Sequence, residues 1–359
     1  MKTLLKEYRK LLLVVALPYL FVVVASIIRV DYDITAPGDL NEVREVISVE
    51  TNYDQKGSFN TVSVFTNDRT TLLTYLIAKL NPRIAVEESI PYIQLSNKEN
   101  YRSGTIQKNV SITNSLIAAY RSAGKEIITV FQGMIIHTTS VDKADGLYIG
   151  DIITEWEGNP ITNGDTLRNL IANTPFVMGK SYQAVVLRPN NDEQYEKRIV
   201  EVTPKKANDE GNPYFGLYLY EYYTITEANP CYTLHKTRTL GPSGGLMQAL
   251  SIYNAITADD ITYGLRVAGT GTIDSHGNVG SIGGVRQKVI TAHLSGADVF
   301  FVPVIRTNGV INLDASDNYV EAKEAHDALG RTKMQLVPVE TLNEAIGWLV
   351  DYGKTKDYQ

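Results

Sequence analysis

Two residues of this chain, Ser243 and Lys288, occupy positions from which their side chains could do chemistry. Ser243 lies in the segment Leu-Gly-Pro-Ser-Gly-Gly-Leu at residues 240–246, and Lys288 closes Ile-Gly-Gly-Val-Arg-Gln-Lys at residues 282–288. A serine hydroxyl becomes a nucleophile when a base takes its proton, and a neutral lysine amine can be that base. Together the two side chains could cleave a peptide bond without histidine.

The serine precedes a predicted helix. Apolar residues recur there at helical spacing, at Leu246, Ala249, Leu250 and Tyr253. Ser243 is therefore expected at the N-cap, where serine is favoured for capping alone. Gly244 and Gly245 would each cost a helix about 1 kcal/mol, which favours a place where another backbone, such as a substrate strand, approaches closely. Backbone N–H groups near residues 243–245 could also hold an oxyanion.

The lysine falls on the apolar face of a second predicted helix. That face is formed by Ile282, Val285, Val289 and Ala292. Burial disfavours a charged amine and lowers its pKa toward neutrality, as a general base requires. The alternative is that the stem of Lys288 packs on apolar neighbours while its ammonium reaches water.

Several blocks in the same order resemble the proteolytic domain of Lon proteases. They are residues 241–246, 269–273, 277–284, 286–288, 297–303 and 336–345. The resemblance implies that Ser243 is the nucleophile and Lys288 the base, with supporting roles for Thr270 and Gly244. The family usually has alanine at the position of Gly244, and its ATP-dependent members carry an acidic residue at that of Leu240.

Composition narrows the range of partners. The chain has 359 residues and a formal charge of −6, which gives no nucleic-acid footprint. Cys231 is the single cysteine and the five histidines are scattered, so we expect no disulfide and no metal site. Residues 174–181 resemble the end of a phosphate-binding loop, but threonine replaces its first glycine. We therefore expect no nucleotide and no cofactor.

The N-terminus predicts a membrane anchor. Residues 11–28 carry no charge and would reach about 27 Å as a helix, just enough to span a bilayer. Lysine and arginine precede this run and aspartates follow it, so the positive-inside rule puts residues 1–10 in the cytoplasm and the remainder outside the cell. The alternative is a cleaved signal peptide with a weak cleavage site at residues 24–26.

Residues 127–204 resemble a PDZ domain. The resemblance rests on Gly-Asp-Ile-Ile at 150–153, Gly-Asn-Pro-Ile at 158–161, a predicted helix at 164–172 and a predicted strand at 181–188. Residues 127–136 predict a strand, a glycine turn and a second strand. PDZ domains add an extended peptide to a sheet edge, which implies peptide binding at Gly133, Met134 and Ile135. Alternatively, this unit only spaces or packs against the rest.

The sequence thus predicts an α/β protein with a Lon-type proteolytic domain, an inserted or preceding PDZ-like β-rich domain and one N-terminal transmembrane helix at 11–30. Residues 31–126 would pack on the proteolytic domain at 205–359. The layout resembles the membrane-anchored, PDZ-containing Lon-like proteases of Gram-positive bacteria. It implies an ATP-independent serine endopeptidase acting on exported or membrane-proximal proteins or peptides, with assembly into a homo-oligomer open. The alternative is a catalytically silent, membrane-tethered PDZ scaffold.

Overall fold

The structure is a computed structural model, and it describes residues 8–50, 53, 55–89, 95–173, 176–190, 194–207, 211–307, 310–311 and 317–357. The helices in these ranges are α1 (Arg9–Ile27), α2 (Leu72–Lys79), α3 (Asn97–Ser122), α4 (Gly164–Asn173), α5 (Gly245–Ile256), α6 (Val285–Leu294), α7 (Asn318–Ala328) and α8 (Leu342–Asp357).

The strands before residue 205 are β1 (Tyr32–Glu42), β2 (Ile47–Val49), β3 (Ser58–Asn67), β4 (Ala85–Glu88), β5 (Glu126–Thr139), β6 (Ile152–Trp156), β7 (Asn159–Pro160), β8 (Tyr182–Pro189) and β9 (Tyr195–Val202). Those after it are β10 (Lys206–Ala207), β11 (Pro213–Tyr214), β12 (Leu217–Asn229), β13 (Tyr232–Leu234), β14 (Arg266–Gly269), β15 (Thr272–Ile273), β16 (Val279–Gly280), β17 (Val299–Pro303), β18 (Arg306–Thr307), β19 (Val310–Ile311) and β20 (Gln335–Val339).

The helices that contain or follow the two predicted catalytic segments pack against one sheet. Its strand order is β20-β17-β14-β3-β1-β4. The four strands from β20 to β3 run parallel, whereas β1 is antiparallel to both of its neighbours. Alternate residues of the central strands face opposite sides, as the two-residue period of a strand requires. In β17, Phe301 packs into the core formed with α5 and α8, and Phe300 packs into the core formed with α6 and α7. Helices therefore cover both faces of this sheet.

Residues before 127 contribute strands to the same sheet and a helix to one of its cores. β3 pairs with β14 over Ser58–Thr61, and Leu116 of α3 is buried in the core that α5 and α8 share. α3 begins with a capping box, because the Ser96 hydroxyl accepts from the Glu99 N–H and the Glu99 carboxylate accepts from the Ser96 N–H. A strand and a helix that come early in the sequence are thus part of the core that contains α5 and α8.

A second sheet has the order β12-β5-β6-β8-β9, with β7 beside β6. The predicted glycine turn at Gly133 is wrong, since β5 is one continuous strand through it. Gly133 has φ 133° and lies where the pairing with β12 shifts register, and a Cβ there would stand 2.5 Å from the Ile153 carbonyl oxygen. The glycine therefore accommodates a bulge within a strand rather than a reversal. β12 belongs to this sheet although it lies beyond the predicted boundary at residue 204.

The predicted anchor at residues 11–30 is not supported. α1 ends at Ile27 and contains Pro18. Across the residue ranges given above, no helix combines the length and apolarity that a membrane crossing needs.

Candidate active site

Ser243 lies one residue before the N-cap of α5. The N-cap is Gly244, which has φ −88° and ψ −2° and provides no side-chain cap. The prediction that Ser243 caps the helix is therefore wrong. Its hydroxyl makes no hydrogen bond to any residue that the structure describes, so the side chain is not committed to a structural role.

The two glycines after Ser243 allow close packing. A Cβ on Gly244 would lie 2.9 Å from Cγ2 of Thr61 in β3, and one on Gly245 would lie 2.9 Å from both Ile273 Cγ2 and Ser111 Oγ. The chain's own elements thus make a close approach at these glycines. Gly244 has no Cβ and so leaves room for Thr61.

Two backbone amides at this turn remain open. The N–H of Gly245 donates to the Pro242 carbonyl at 3.2 Å, and that of Leu246 donates to the Gly271 carbonyl at 3.2 Å. Within the described part of the chain, the N–H groups of Ser243 and Gly244 donate to no backbone acceptor. They are therefore the pair that could hold an oxyanion, and Gly245 is excluded from that role.

Lys288 is buried beside the same turn. Its side chain projects from α6 and is 2% exposed, so the alternative in which the ammonium reaches water is wrong. Nζ donates to Thr270 Oγ1 at 3.2 Å, and Thr270 Oγ1 donates to the Ser243 carbonyl at 3.1 Å. Burial lowers the pKa of Lys288 to about 8, although the negative charge of Glu321 acts to raise it. A large fraction of the amine is therefore neutral in mild alkali, as a general base requires.

Thr270 connects Lys288 to the segment of Ser243 because of where its strand ends. It directly follows β14 and is fully buried, and its N–H donates to the Phe301 carbonyl at 3.0 Å. Carboxyl ends of parallel strands are where open α/β sheets place their ligands. The fold thus brings together Ser243, Gly244, Thr270 and Lys288, all predicted from the sequence.

A cavity of about 840 Å³ opens above these residues. Residues 236–241 form one wall and residues 61–66 of β3 form the other, with Ser243, Gly244 and Lys288 also lining it. Phe65 is 60% exposed and Leu240 is 39% exposed, so both present apolar surface to an occupant. The cavity has room for several residues of a peptide.

One wall of this cavity is a strand edge. β14 pairs with β3 only as far as Thr61, and β1 pairs with the other side of β3 as far as Asn67. From Val62 onward, no strand of the described residues occupies the side of β3 away from β1. An extended peptide could therefore pair with this edge and pass close to Ser243.

The predicted peptide-binding residues of the second sheet lie elsewhere than expected. Gly133, Met134 and Ile135 are in the interior of β5, which pairs with β12 on one side and with β6 on the other. Met134 and Ile135 pair with both of these strands, so an added strand could not pair with them, whereas Gly133 pairs with Tyr222 of β12. The peptide site at these three residues stays a prediction, and Met134 and Ile135 offer it no free strand edge.

A groove does exist at the edge of this sheet. A cavity of about 660 Å³ lies between α4 and the start of β12, which is an edge strand in the described part of the sheet. Its lining is mostly apolar and comprises Ile153, Trp156, Leu167, Ile171, Ala172, Phe176, Asn212, Pro213, Tyr214, Phe215, Gly216, Leu217, Tyr218 and Leu219. The sequence patterns do not predict a role for residues 214–219. Their signal is a glycine among apolar residues, and Gly216 has φ 65° at the entry to β12.

Comparisons with known proteins agree with the geometry of the first site. Residues 236–345 match the family model of the Lon protease (S16) C-terminal proteolytic domain. A protein called Lon protease from the Aster yellows witches'-broom phytoplasma is 32% identical over 104 residues, which are 29% of this chain and 11% of that protein. The chain thus spans about a tenth of the length of this curated relative.

Solved PDZ domains are among the structural neighbours. The PDZ domain of an SdrC-like protein from Listeria monocytogenes covers 24% of this chain and 86% of its own, with 19% identity and a TM-score of 0.20. That of an SdrC-like protein from Listeria innocua covers 25% of this chain and 97% of its own, with 16% identity and a TM-score of 0.22. At these TM-scores the likeness carries no weight beyond the geometry already described.

Proposed function

We propose that this chain is an ATP-independent serine endopeptidase in which Ser243 is the nucleophile and Lys288 the general base. The observation that carries the proposal is the buried Lys288 amine, whose pKa is lowered to about 8 beside the segment of Ser243. A buried lysine without a carboxylate in hydrogen-bonding contact is costly, and such costs concentrate at functional sites. The match of residues 236–345 to a proteolytic domain supports the same reaction.

The arrangement supports a two-step hydrolysis. Neutral Lys288 takes the proton of Ser243 as Oγ attacks the scissile carbonyl carbon, and the N–H groups of Ser243 and Gly244 stabilise the oxyanion. The Lys288 ammonium then returns the proton to the leaving amine, which departs as the C–N bond breaks and leaves an acyl-enzyme. Water attacks the ester with Lys288 again as base, releasing the acid and restoring Ser243. Thr270 orients the Lys288 amine by accepting its hydrogen bond.

A pair of variants tests the assignment. Lys288→Arg keeps the charge but cannot act as a base near neutral pH, and Ser243→Ala removes the nucleophile. Both should abolish cleavage of an unstructured peptide while thermal melts stay cooperative, and the double variant should be no worse than either, because the residues act as a unit. Cleavage by Ser243→Ala at the wild-type rate would refute Ser243 as the nucleophile, whereas a wild-type protein that cleaves no peptide would favour the scaffold alternative.

The second sheet would recruit substrate. We propose that the groove between α4 and β12 takes an extended peptide segment, which adds to the free edge of β12 and places apolar side chains against Leu167, Ile171 and Leu219. The expected substrates are therefore proteins or peptides with an accessible apolar segment. The cellular compartment and the homo-oligomeric state stay predictions.

A further inference from the structure

Both peptide groups that flank the α-carbon of Ser243 are held from outside their own turn. The Ser243 carbonyl accepts from the Gly271 N–H at 2.9 Å and from Thr270 Oγ1 at 3.1 Å. The Pro242 carbonyl accepts from Ser111 Oγ at 2.9 Å and from the Gly245 N–H at 3.2 Å. Fixing these two peptide planes fixes the Cα–Cβ direction of Ser243, so that only rotation about χ1 remains for placing Oγ.

Ser111 belongs to α3, which clamps the whole nucleophile segment. The Gly241 N–H donates to the Gly104 carbonyl at 3.0 Å, and Ser115 Oγ donates to the Gly245 carbonyl at 2.9 Å. Residues 104, 111 and 115 are seven and four apart, so they lie on one face of the helix. α3 is anchored by its buried residues in the core shared with α5. The position of residues 241–245 is therefore fixed relative to α3.

A purely structural need does not account for the Ser111 hydroxyl. The Pro242 carbonyl already accepts the Gly245 N–H, so removing the hydroxyl leaves no buried acceptor without a donor. The Ser111 hydroxyl instead fixes the orientation of the Pro242 carbonyl, because it donates from α3 and not from the turn itself.

We infer that Ser111 is a positioning residue for the reaction proposed above, which holds the Pro242–Ser243 peptide so that Oγ of Ser243 points between Lys288 and the substrate carbonyl. The inference rests on the proposed function. Since a misplacement on the order of 1 Å costs about a hundredfold in rate, loss of one of two donors should lower kcat by about tenfold or more.

The test compares Ser111→Ala with Ser103→Ala. Ser103 is a matched control, because it lies on the same helix and is 4% exposed against 3% for Ser111. Its hydroxyl bonds to Thr138 Oγ1 in β5 at 2.8 Å and accepts from Gln107 Nε2 at 3.0 Å, and neither partner hydrogen-bonds to the segment of Ser243. Both variants lose one buried hydroxyl of the same kind. For each we would measure kcat and KM on an unstructured peptide, the pH midpoint of kcat/KM, the thermal midpoint, and the rate of inhibition by a peptidyl boronate that bonds to Ser243 Oγ.

Ser111→Ala should lower kcat and slow boronate inhibition by about tenfold, with KM and the pH midpoint unchanged, since the cavity walls and Lys288 are untouched. Ser103→Ala should keep wild-type values. Equal kcat in wild type and Ser111→Ala, equal losses in both variants, or a shifted pH midpoint would overturn the positioning role. A wild-type protein that neither cleaves the peptide nor reacts with the boronate would instead overturn the proposed function.

Discussion

Glu321 offers the sharpest test of Lys288 as the base. It lies in the first turn of α7, and its carboxylate acts to raise the pKa of Lys288 against the larger effect of burial. Its Oε1 also accepts the Arg286 N–H at 3.2 Å. Glu321→Gln removes the charge and keeps an acceptor oxygen at the same place. The variant should therefore lower the pKa of Lys288 and leave the start of α6 intact.

The size of the effect has a ceiling. With a pKa of about 8, about a tenth of Lys288 is neutral at pH 7 and about nine tenths at pH 9. Activity at pH 7 can therefore rise by at most about tenfold when the pKa falls, and the alkaline plateau should not change. An unperturbed lysine would leave far less than one per cent of the base neutral at pH 7.

The assay is the pH dependence of kcat/KM for an unstructured peptide between pH 6 and pH 10. Wild type should rise with one midpoint, and the Glu321→Gln profile should be displaced toward lower pH. Glu324→Gln is the control, because Glu324 lies on the same helix and is exposed. Its charge is not among the causes that shift the pKa of Lys288. An unmoved midpoint, or one that moves upward, would refute the assignment of the titrating group to Lys288.

Three further predictions concern stability and recruitment. Because the pKa of Lys288 is lowered to about 8 when the chain folds, its protonation costs stability fully below that pH, and the cost disappears above about 10.5. Lys288→Met should thus abolish activity yet raise the free energy of unfolding at pH 7 by on the order of 1–3 kcal/mol, measured by denaturant titration. This gain in stability should shrink as the pH rises. A destabilised variant would count against the explanation. Gly244→Ala should lower stability by about 1–3 kcal/mol because its Cβ meets Thr61; Thr61→Ala should relieve most of that loss, and additive losses in the double variant would contradict the steric explanation. Ile171→Glu should slow cleavage of a protein substrate that binds the groove between α4 and β12, but should not slow cleavage of a short peptide. Asn169→Glu on the same helix should slow neither reaction. Equal slowing of both reactions by Ile171→Glu would mean that the groove shapes the active site.

Local patterns were enough to predict much of the catalytic segment. The stripe led by Leu246 is buried in α5, and the face containing Lys288 is buried in α6, because a helical period determines which residues share a face. The start of α5 was misplaced by one residue, since serine and glycine both suit an N-cap. The choice between them depends on Thr61, which approaches from a distant strand and is invisible to local spacing.

The second sheet shows where such reasoning ends. A glycine between two apolar runs predicts a turn, yet Gly133 continues β5 through a bulge because β12 pairs alongside it. That partner is supplied by residues about 90 positions later, and no local signal announces it. Pairing also decides which strand lies at the edge of the sheet, and a local pattern does not show this. Ser111 cannot be identified from the sequence, because nothing in the local pattern of α3 shows that its hydroxyl contacts Pro242.

The pairing of β3 with β14 has a consequence for biosynthesis. Arg266 lies opposite Ser58, so the central sheet joins strands separated by about 200 residues of chain. During synthesis β3 leaves the ribosome long before β14, and non-local pairings of this kind form late and slowly. Lys288 comes later still, and its burial requires α6 to close over the finished sheet. For the proposed function, this order means that a nascent chain carries Ser243 before it has Lys288, so the proposed base is in place only once folding is complete.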